Sequence, residues 1–189
     1  MSGIAKKFNT TLSKLLDYNY MTLANCFISD GQKIAINGYA PRDYAVVPGE
    51  ASSKSNKGTL VDWYKDGQFI FHKNSKFVIT DTQTGTSFNA KMLGGYNHMD
   101  IEPITVNDTN IMKSLFKSWT WNPRPVAIYI NGMNIAGSLS GMPHSFDTPP
   151  SNGVSGHFDV YLKNSKPHRN DASQDYVSLH ASTLLKAVK

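Results

Sequence analysis

The sequence predicts a β-rich α+β fold: an antiparallel sheet or small barrel with one central helix, one C-terminal helix and an N-terminal helix and hairpin arm. Two observations predict this class. Turn residues recur at short intervals between apolar segments, and apolar and polar residues alternate within most of those segments. Hydrophobic residues make up 40% of the 189 residues and charged residues 17%, which is a globular balance rather than that of a disordered chain.

The N-terminal arm combines a predicted helix with a predicted hairpin. Apolar residues recur at helical spacing through residues 3–17, which predicts one amphipathic helix. Two apolar segments, residues 21–28 and 32–37, flank Ser29-Asp30-Gly31. A turn dipeptide between apolar segments is typical of a hairpin.

A polar stretch separates this arm from the rest of the chain. Residues 40–58 are rich in Gly and Ser and are interpreted as a linker. We therefore predict two units: an arm with its linker over residues 1–58, and a β-rich catalytic domain over residues 59–189.

Three hairpins are predicted in the second unit, centred on Lys65-Asp66-Gly67, Thr84-Gly85 and Asn131-Gly132. Their strands are expected at residues 60–64 with 68–72, 77–80 with 87–92, and 125–130 with 133–139. A last strand is expected at residues 157–162.

Two helices complete the predicted second unit. Residues 105–118 have helical spacing, with Thr105 or Asn107 as the cap and Asp108 in the first turn. Residues 176–188 are expected to form the C-terminal helix.

Charge and composition narrow the functional class. The net charge of +5 indicates a mild preference for an anionic partner such as a wall polymer. No arginine-rich stripe or RNA-type aromatic motif occurs, so nucleic acid is not an expected partner. The chain has one cysteine, which excludes an intrachain disulfide and a cysteine-based zinc site. Walker and dinucleotide glycine patterns do not occur either.

No secretory signal and no stretch of about 20 apolar residues is found. We therefore expect synthesis in the cytoplasm without a signal peptide. Action at the bacterial envelope would then follow lysis, export by a dedicated apparatus, or release as part of a particle.

The first candidate site segment is residues 94–102. If its second half is extended, His98, Asp100 and Glu102 share one face because side chains alternate along a strand. An imidazole with two carboxylates can bind a divalent metal or relay protons. The same pattern is also typical of a solvated polar edge strand.

The second candidate segment repeats the pattern. His157 and Asp159 are expected to share one face of the last strand, and His144 lies in a long loop over residues 140–156 that could cover a site. His168 is expected to be exposed. His72 and His180 are interpreted as surface or packing residues.

Together these residues predict a zinc site. We expect His98, Asp100 and His157 as metal ligands, with water in the open position of a hydrolytic site. His144 or Asp159 is expected to handle protons, and Glu102 is a further general-base candidate.

Residues 60–170 resemble a little-characterised domain of Gram-positive envelope proteins and their phages. The resemblance is carried by Val61-Asp62-Trp63, Asp81-Thr82-Gln83-Thr84-Gly85, Asn97-His98-Met99-Asp100-Ile101-Glu102-Pro103, Asp108-Thr109, Ile111-Met112-Lys113, Arg124-Pro125-Val126, Gly141-Met142-Pro143-His144 and Gly156-His157-Phe158.

Two wall-enzyme classes are also partly similar. L,D-transpeptidases have an upstream histidine and a His-Gly-Cys stretch, to which His144 and residues 156–158 are similar. The cysteine of that domain corresponds to Asp159, so thiol chemistry would be absent. The D-Ala-D-Ala and murein endopeptidase type of zinc peptidase has a His/Asp pair, a helix and a second His strand in the same order as here. Both resemblances imply peptide cross-links of peptidoglycan as substrate.

Two functions follow as expectations. The first is a metal-dependent peptidoglycan peptidase or amidase. The alternative is a non-catalytic wall-binding or phage-tail-like structural protein with a degenerate L,D-transpeptidase-like site. In that case residues 1–58 would dock to an assembly partner.

Overall fold

The fold is a closed, six-stranded antiparallel barrel with helices around it, which confirms the predicted β-rich α+β class. A computed structural model describes residues 1–19, 21, 23, 26, 34–39, 55–147, 151–168 and 173–189. Its helices are α1 (Ser2–Lys7), α2 (Leu12–Tyr18), α3 (Gln68–Ile70), α4 (Val106–Phe116) and α5 (Gln174–Leu185). Its strands are β1 (Lys76–Asp81), β2 (Ser87–Gly94), β3 (Met99–Pro103), β4 (Thr120–Ile130), β5 (Met133–Gly141) and β6 (Phe158–Tyr161).

The strands follow one another around the barrel in the order β1-β2-β3-β6-β5-β4, and β4 pairs with β1 to close it. The interior is filled by large apolar side chains, among them Phe88, Ile101, Ile128 and Phe158, each at most 2% exposed. Burial of each such side chain contributes roughly 1.5–3 kcal/mol. The short strand β6 lies between β3 and β5 and therefore contacts both.

Two of the three predicted hairpins are confirmed. β1 and β2 pair across a turn in which Gly85 has a φ of 74°. β4 and β5 pair across Asn131 and Gly132, whose φ angles are 49° and 83°. Positive φ at both central residues is the requirement of a tight hairpin turn, and Asn-Gly meets it at little cost.

The two predicted helices of the barrel are confirmed with small changes at their ends. α4 is capped by Thr105 rather than Asn107. The Thr105 side chain accepts from the Asp108 backbone N–H, and the Asp108 carboxylate accepts from that of Thr105. Asp108 also accepts from the backbone and side-chain amides of Asn89, which ties α4 to β2. The C-terminal helix spans Gln174–Leu185 and is capped by Ser173.

The prediction of one helix over residues 3–17 is wrong, because two short helices occupy this segment. Asn9 adopts a positive φ of 50° after α1, and Thr11 then caps α2 by accepting from the Lys14 backbone N–H. The Asn19 side chain bonds the backbone of Ala35 in both directions at 2.7 Å. The hairpin predicted around Ser29-Asp30-Gly31 lies outside the described residues.

The hairpin predicted around Lys65-Asp66-Gly67 is also wrong. A π-helical turn spans Trp63–Gly67 and runs into α3. Asp62 caps this turn by accepting from the backbone N–H groups of Tyr64 and Lys65, and the Trp63 side chain is fully buried. A side-chain cap and a buried indole therefore override the local Asp-Gly turn preference.

The end of the predicted linker is bonded to the barrel. The Ser55 backbone N–H donates to Asn134 Oδ1 at 2.8 Å, and that of Gly58 donates to the Ala187 carbonyl at 2.9 Å. Residues 40–54 lie outside the described residues. The boundary at residue 58 stays a prediction.

None of the helices in the described ranges has the length and apolar character that crossing a bilayer requires.

The closing seam of the barrel contains a buried ion pair that can be tested. Arg124 donates to both carboxylate oxygens of Asp81 at 2.8 and 3.0 Å, and Asp81 is fully buried. Burial raises the pKa of Asp81, but its bonds with Arg124 and Thr84 outweigh this and lower it overall. We expect Arg124→Met to reduce the free energy of unfolding by about 2–3 kcal/mol at pH 7, because the carboxylate loses its counter-charge. Urea titration measures this loss.

The matched control is Lys76→Met, which removes an exposed charge from β1, the strand that carries Asp81, and should change stability by less than about 0.5 kcal/mol. The penalty of Arg124→Met should shrink below about pH 4, where Asp81 of the variant can take up a proton. A penalty that is independent of pH would contradict the assignment.

Two buried histidines predict a pH dependence of stability. Burial lowers the pKa of both His72 and His180 to about 4. Since the unfolded chain binds these protons near pH 6.5, each group lowers stability as pH falls from about 6.5 towards 4, by roughly 3 kcal/mol. The variant His72→Gln lacks one such proton, so its stability relative to wild type should improve over that interval. Urea titrations at pH 7, 5.5 and 4.5 check this, and parallel curves would exclude it.

Candidate metal centre

The site begins with two aspartates that the barrel places directly opposite each other. β3 and β6 pair antiparallel in a register that makes Asp100 the cross-strand partner of Asp159. The two residues are 4% and 3% exposed. Like charges in directly opposed positions destabilise a sheet, and buried carboxylates require counter-charge or hydrogen bonds. This position therefore requires positive charge nearby.

Four histidines surround the aspartate pair with their Nε2 atoms turned towards it. The distances to Asp159 Oδ1 are 3.1 Å from His98, 3.4 Å from His144 and 4.0 Å from His157. Those to Asp100 Oδ1 are 3.5 Å from His98, 3.9 Å from His157 and 3.5 Å from His168. Neither Oδ1 atom, nor His157 Nε2, has a hydrogen-bond partner of good geometry among the described residues.

Three of the imidazoles are oriented by backbone carbonyls. Nδ1 of His98 lies 2.6 Å from the Lys166 carbonyl, that of His157 lies 3.0 Å from the Phe146 carbonyl, and that of His144 lies 3.1 Å from the Met142 carbonyl. A carbonyl can only accept, so each Nδ1 carries a proton and Nε2 faces the aspartates, with a lone pair when the ring is neutral and with an N–H when the ring is protonated. This outer hydrogen bond is the usual support of a metal-ligating histidine.

The electrostatics of the cluster follow from its burial and its charges. Burial by itself lowers the pKa of His98, but the adjacent Asp159 carboxylate outweighs this and the net shift is upward. Burial raises the pKa of Asp159, while His98 lowers it more. The pKa of His168 is lowered, first by partial burial and then by the charge of His98. Without another cation, His98 is therefore the ring that supplies positive charge to the aspartates.

The ligand atoms form two overlapping groups, each within 4.8 Å. One contains His98, Asp100, Asp159 and His168, and the other His144, His157, Asp159 and His168. Zinc binds nitrogen and oxygen at about 2 Å, which places neighbouring ligands of a tetrahedral site about 3.4 Å apart. The measured separations bracket that value. The residues present therefore fit a divalent metal ion.

The three ligands expected from the sequence all lie in this cluster, but not in one ligand group. His98 and Asp100 belong to one group and His157 to the other. Asp159 and His144, expected to handle protons, are ligand candidates as well. The division of roles stays a prediction.

His168 is the residue that sequence reasoning missed. It is 46% exposed, as expected, yet its Nε2 lies 3.1 Å from that of His98. The segment that carries His168 is held against His98, because the carbonyl of Lys166, two residues before His168, accepts from His98. No motif or spacing in the sequence distinguishes this histidine from an ordinary surface residue.

Glu102 belongs to neither ligand group, although it shares a strand face with Asp100. Its carboxylate is 1% exposed and lies 3.4 Å from Lys91 Nζ. Burial and the proximity of Glu102 raise the pKa of Asp147. Asp147 follows Phe146, whose carbonyl orients His157, so Glu102 lies close to the loop beside the cluster. Its role as a general base stays a prediction.

Stacked rings pack behind the cluster. The Tyr161 ring stacks on His98 with centroids 4.7 Å apart, and His180 stacks on the other side of Tyr161 at 4.0 Å. His180 also bonds Ser138 at 2.9 Å. The interpretation of His180 as a packing residue therefore holds, and the packing it provides supports the His98 ring.

The loop that carries His144 is paired to β6 through its backbone. His144 and His157 exchange both N–H···O bonds, at 3.0 and 2.9 Å. Gly156 has a φ of 90°, and a Cβ built there would lie 2.8 Å from the His144 backbone. Only glycine permits this close approach.

Comparison with known proteins gives one family match, at the N-terminus. Residues 1–37 match the LysM domain, a peptidoglycan-binding domain. No curated protein and no solved structure matches the chain, and no similarity to L,D-transpeptidases or zinc peptidases is found. The match supports peptidoglycan as a partner and association with the cell wall; residues 1–37 are similar to a domain that binds the wall polymer.

Proposed function

We propose that the barrel binds a divalent metal ion, zinc being the first candidate, and that it hydrolyses an amide or peptide bond of peptidoglycan. The observation that carries the metal site is the directly opposed pair of buried carboxylates, faced by four imidazole nitrogens at 3.1–4.0 Å. Such a set of nitrogen and oxygen ligands also suits other first-row metals, so the metal is to be identified by measurement.

The proposed chemistry follows from exposure across the cluster. His98 and His157 are buried, whereas the side chains of His144 and His168 are 23% and 46% exposed. The substrate therefore approaches from the side of His144 and His168. A bound zinc ion would supply Lewis-acid activation of water at neutral pH. In this proposal His144, which is partly exposed and lies 3.4 Å from Asp159, takes or gives the proton.

The choice of peptidoglycan rests on the LysM match at residues 1–37. A wall-binding unit on the same chain raises the local concentration of wall bonds at the barrel. The net charge of +5 also favours an anionic wall.

Metal content is the first test. Elemental analysis of the purified chain should find bound metal, which is lost in Asp159→Asn and His168→Ala, the two residues that both ligand groups share, and kept in the control His72→Gln. Added metal should raise the melting temperature of the metal-free wild type, because a ligand that binds only the folded state stabilises it. A folded wild type that binds no divalent metal would overturn the proposal.

Wall hydrolysis is the second test. The metal-loaded chain should release new amino groups from purified cell walls without releasing new reducing ends. Asp159→Asn should reduce the rate by at least about 100-fold, since the metal would be lost. Release of reducing ends would instead indicate cleavage of the glycan, and equal rates in wild type and variant would sink the assignment of the site.

A second candidate function is a non-catalytic wall-binding protein, and the LysM match favours it specifically. The cluster would then be a structural metal site or a degenerate transferase-like site, since Asp159 stands where thiol chemistry needs cysteine. Docking of residues 1–58 to a particle is a further form of this candidate. Binding to walls with bound metal but without amine release would decide for it.

A further inference from the structure

A row of four aromatic rings crosses the mouth of the metal centre. Trp121 lies 5.0 Å from His144, His144 lies 4.6 Å from His157, and His157 lies 4.6 Å from Phe146, measured between ring centroids. Successive rings are tilted by 53°, 50° and 45°. The two inner rings face Asp159, and the two outer rings lie on either side of them.

The outer rings are largely open to solvent. Trp121 is 44% exposed and Phe146 is 54% exposed. Single exposed apolar side chains are ordinary, but each of these two packs against a different histidine of one buried polar cluster. Aromatic side chains beside a few convergent polar groups are typical of a ligand site.

Each outer ring stands on an irregular piece of backbone. The pairing of β4 with β5 shifts register between Thr120 and Arg124, and Trp121 lies within this bulge. Phe146 follows Ser145, which has a φ of 58° without being glycine. Bulges and strained residues are concentrated at functional sites, where they redirect a side chain. The two irregularities occur on separate segments, so each presents its aromatic ring independently.

We propose that Trp121 and Phe146 are the walls of a saccharide-binding subsite, which holds the glycan of peptidoglycan across the metal centre. This proposal rests on the proposed function for its choice of polymer. A flat, half-exposed indole or phenyl face suits the C–H face of a pyranose ring. The side chain of His168, which is 46% exposed and reaches the same cluster through Nε2, can offer its other ring nitrogen to a sugar hydroxyl or acetamido group. The bond to be cut then lies next to a sugar.

The experiment is a ligand titration of the full chain followed by NMR. The chain has three tryptophans, Trp63, Trp119 and Trp121, and none lies in the segment that matches LysM. The indole N–H signals therefore report on the barrel alone. The Trp121 signal is identified by its loss in Trp121→Phe. The probes are the peptide-free disaccharide of N-acetylglucosamine and N-acetylmuramic acid, and separately the free stem peptide.

The disaccharide is expected to shift the Trp121 signal and to leave that of the buried Trp63 in place. Followed at the His144 amide, Phe146→Ala and Trp121→Ala should each weaken disaccharide binding at least about five-fold, and Trp121→Phe should recover most of the loss. The control is Tyr96→Ala, which removes a 71% exposed aromatic ring outside the row and should leave binding unchanged.

Two outcomes overturn the proposal: the stem peptide shifts Trp121 while the disaccharide does not, or neither probe shifts it. Failure of the proposed hydrolysis is seen separately. Metal content and amine release are measured on the same samples, and Trp121→Ala should keep its metal. Disaccharide binding at Trp121 without amine release would support the saccharide subsite and contradict the proposed hydrolase activity.

Discussion

The register of β3 against β6 is the constraint on which the site depends. It sets Asp100 opposite Asp159 on the outer face of the barrel wall, since Met99, Ile101, Phe158 and Val160 fill the core, and neither carboxylate can move away without breaking the ladder. Two unit charges about 5 Å apart repel by about 3 kcal/mol at an effective dielectric constant of 20. That is a large part of the 5–15 kcal/mol by which a domain of this kind is stable. A protonated imidazole beside the pair offsets part of this repulsion, and a divalent cation would offset more of it.

The same register explains why histidines from distant segments meet. His98 immediately precedes β3, and His157 immediately precedes β6. Because the strands run antiparallel, the two residues lie diagonally across the aspartate pair. His98 is thus brought against Tyr161, and His157 against the loop that carries Phe146. Backbone carbonyls outside the barrel then fix the tautomers, so the cluster is built on strands and oriented by loops.

Sequence patterns predicted the parts of this arrangement that depend on local physics. Alternation predicted that His98 and Asp100 share one face of their strand and that His157 and Asp159 share one face of a second strand. The Asn131-Gly132 turn predicted one hairpin. Long-range contacts decided the rest. Glu102 shares a strand face with Asp100. Its carboxylate pairs with Lys91, its cross-strand partner on β2, whereas Asp100 lies opposite Asp159 on β6. His168 joins the cluster through the Lys166 carbonyl, a contact between residues 68 apart in the chain that no spacing rule reveals.

The double backbone bond between His144 and His157 has a mechanical consequence for the chain between them. The two hydrogen bonds hold the ends of this segment, His144 and His157, side by side, and the absence of a side chain at Gly156 permits their close approach. Doubling the length of a flexible loop adds only about 0.6 kcal/mol of closure entropy. Extra residues inserted directly after Asp147, and so before the hydrogen bonds that hold Asn152 to Pro103 and Thr109, would therefore lengthen this segment while the imidazoles at its base keep their positions. The rim of the metal centre can thus diverge in size and chemistry without disturbing the ligand geometry beneath it.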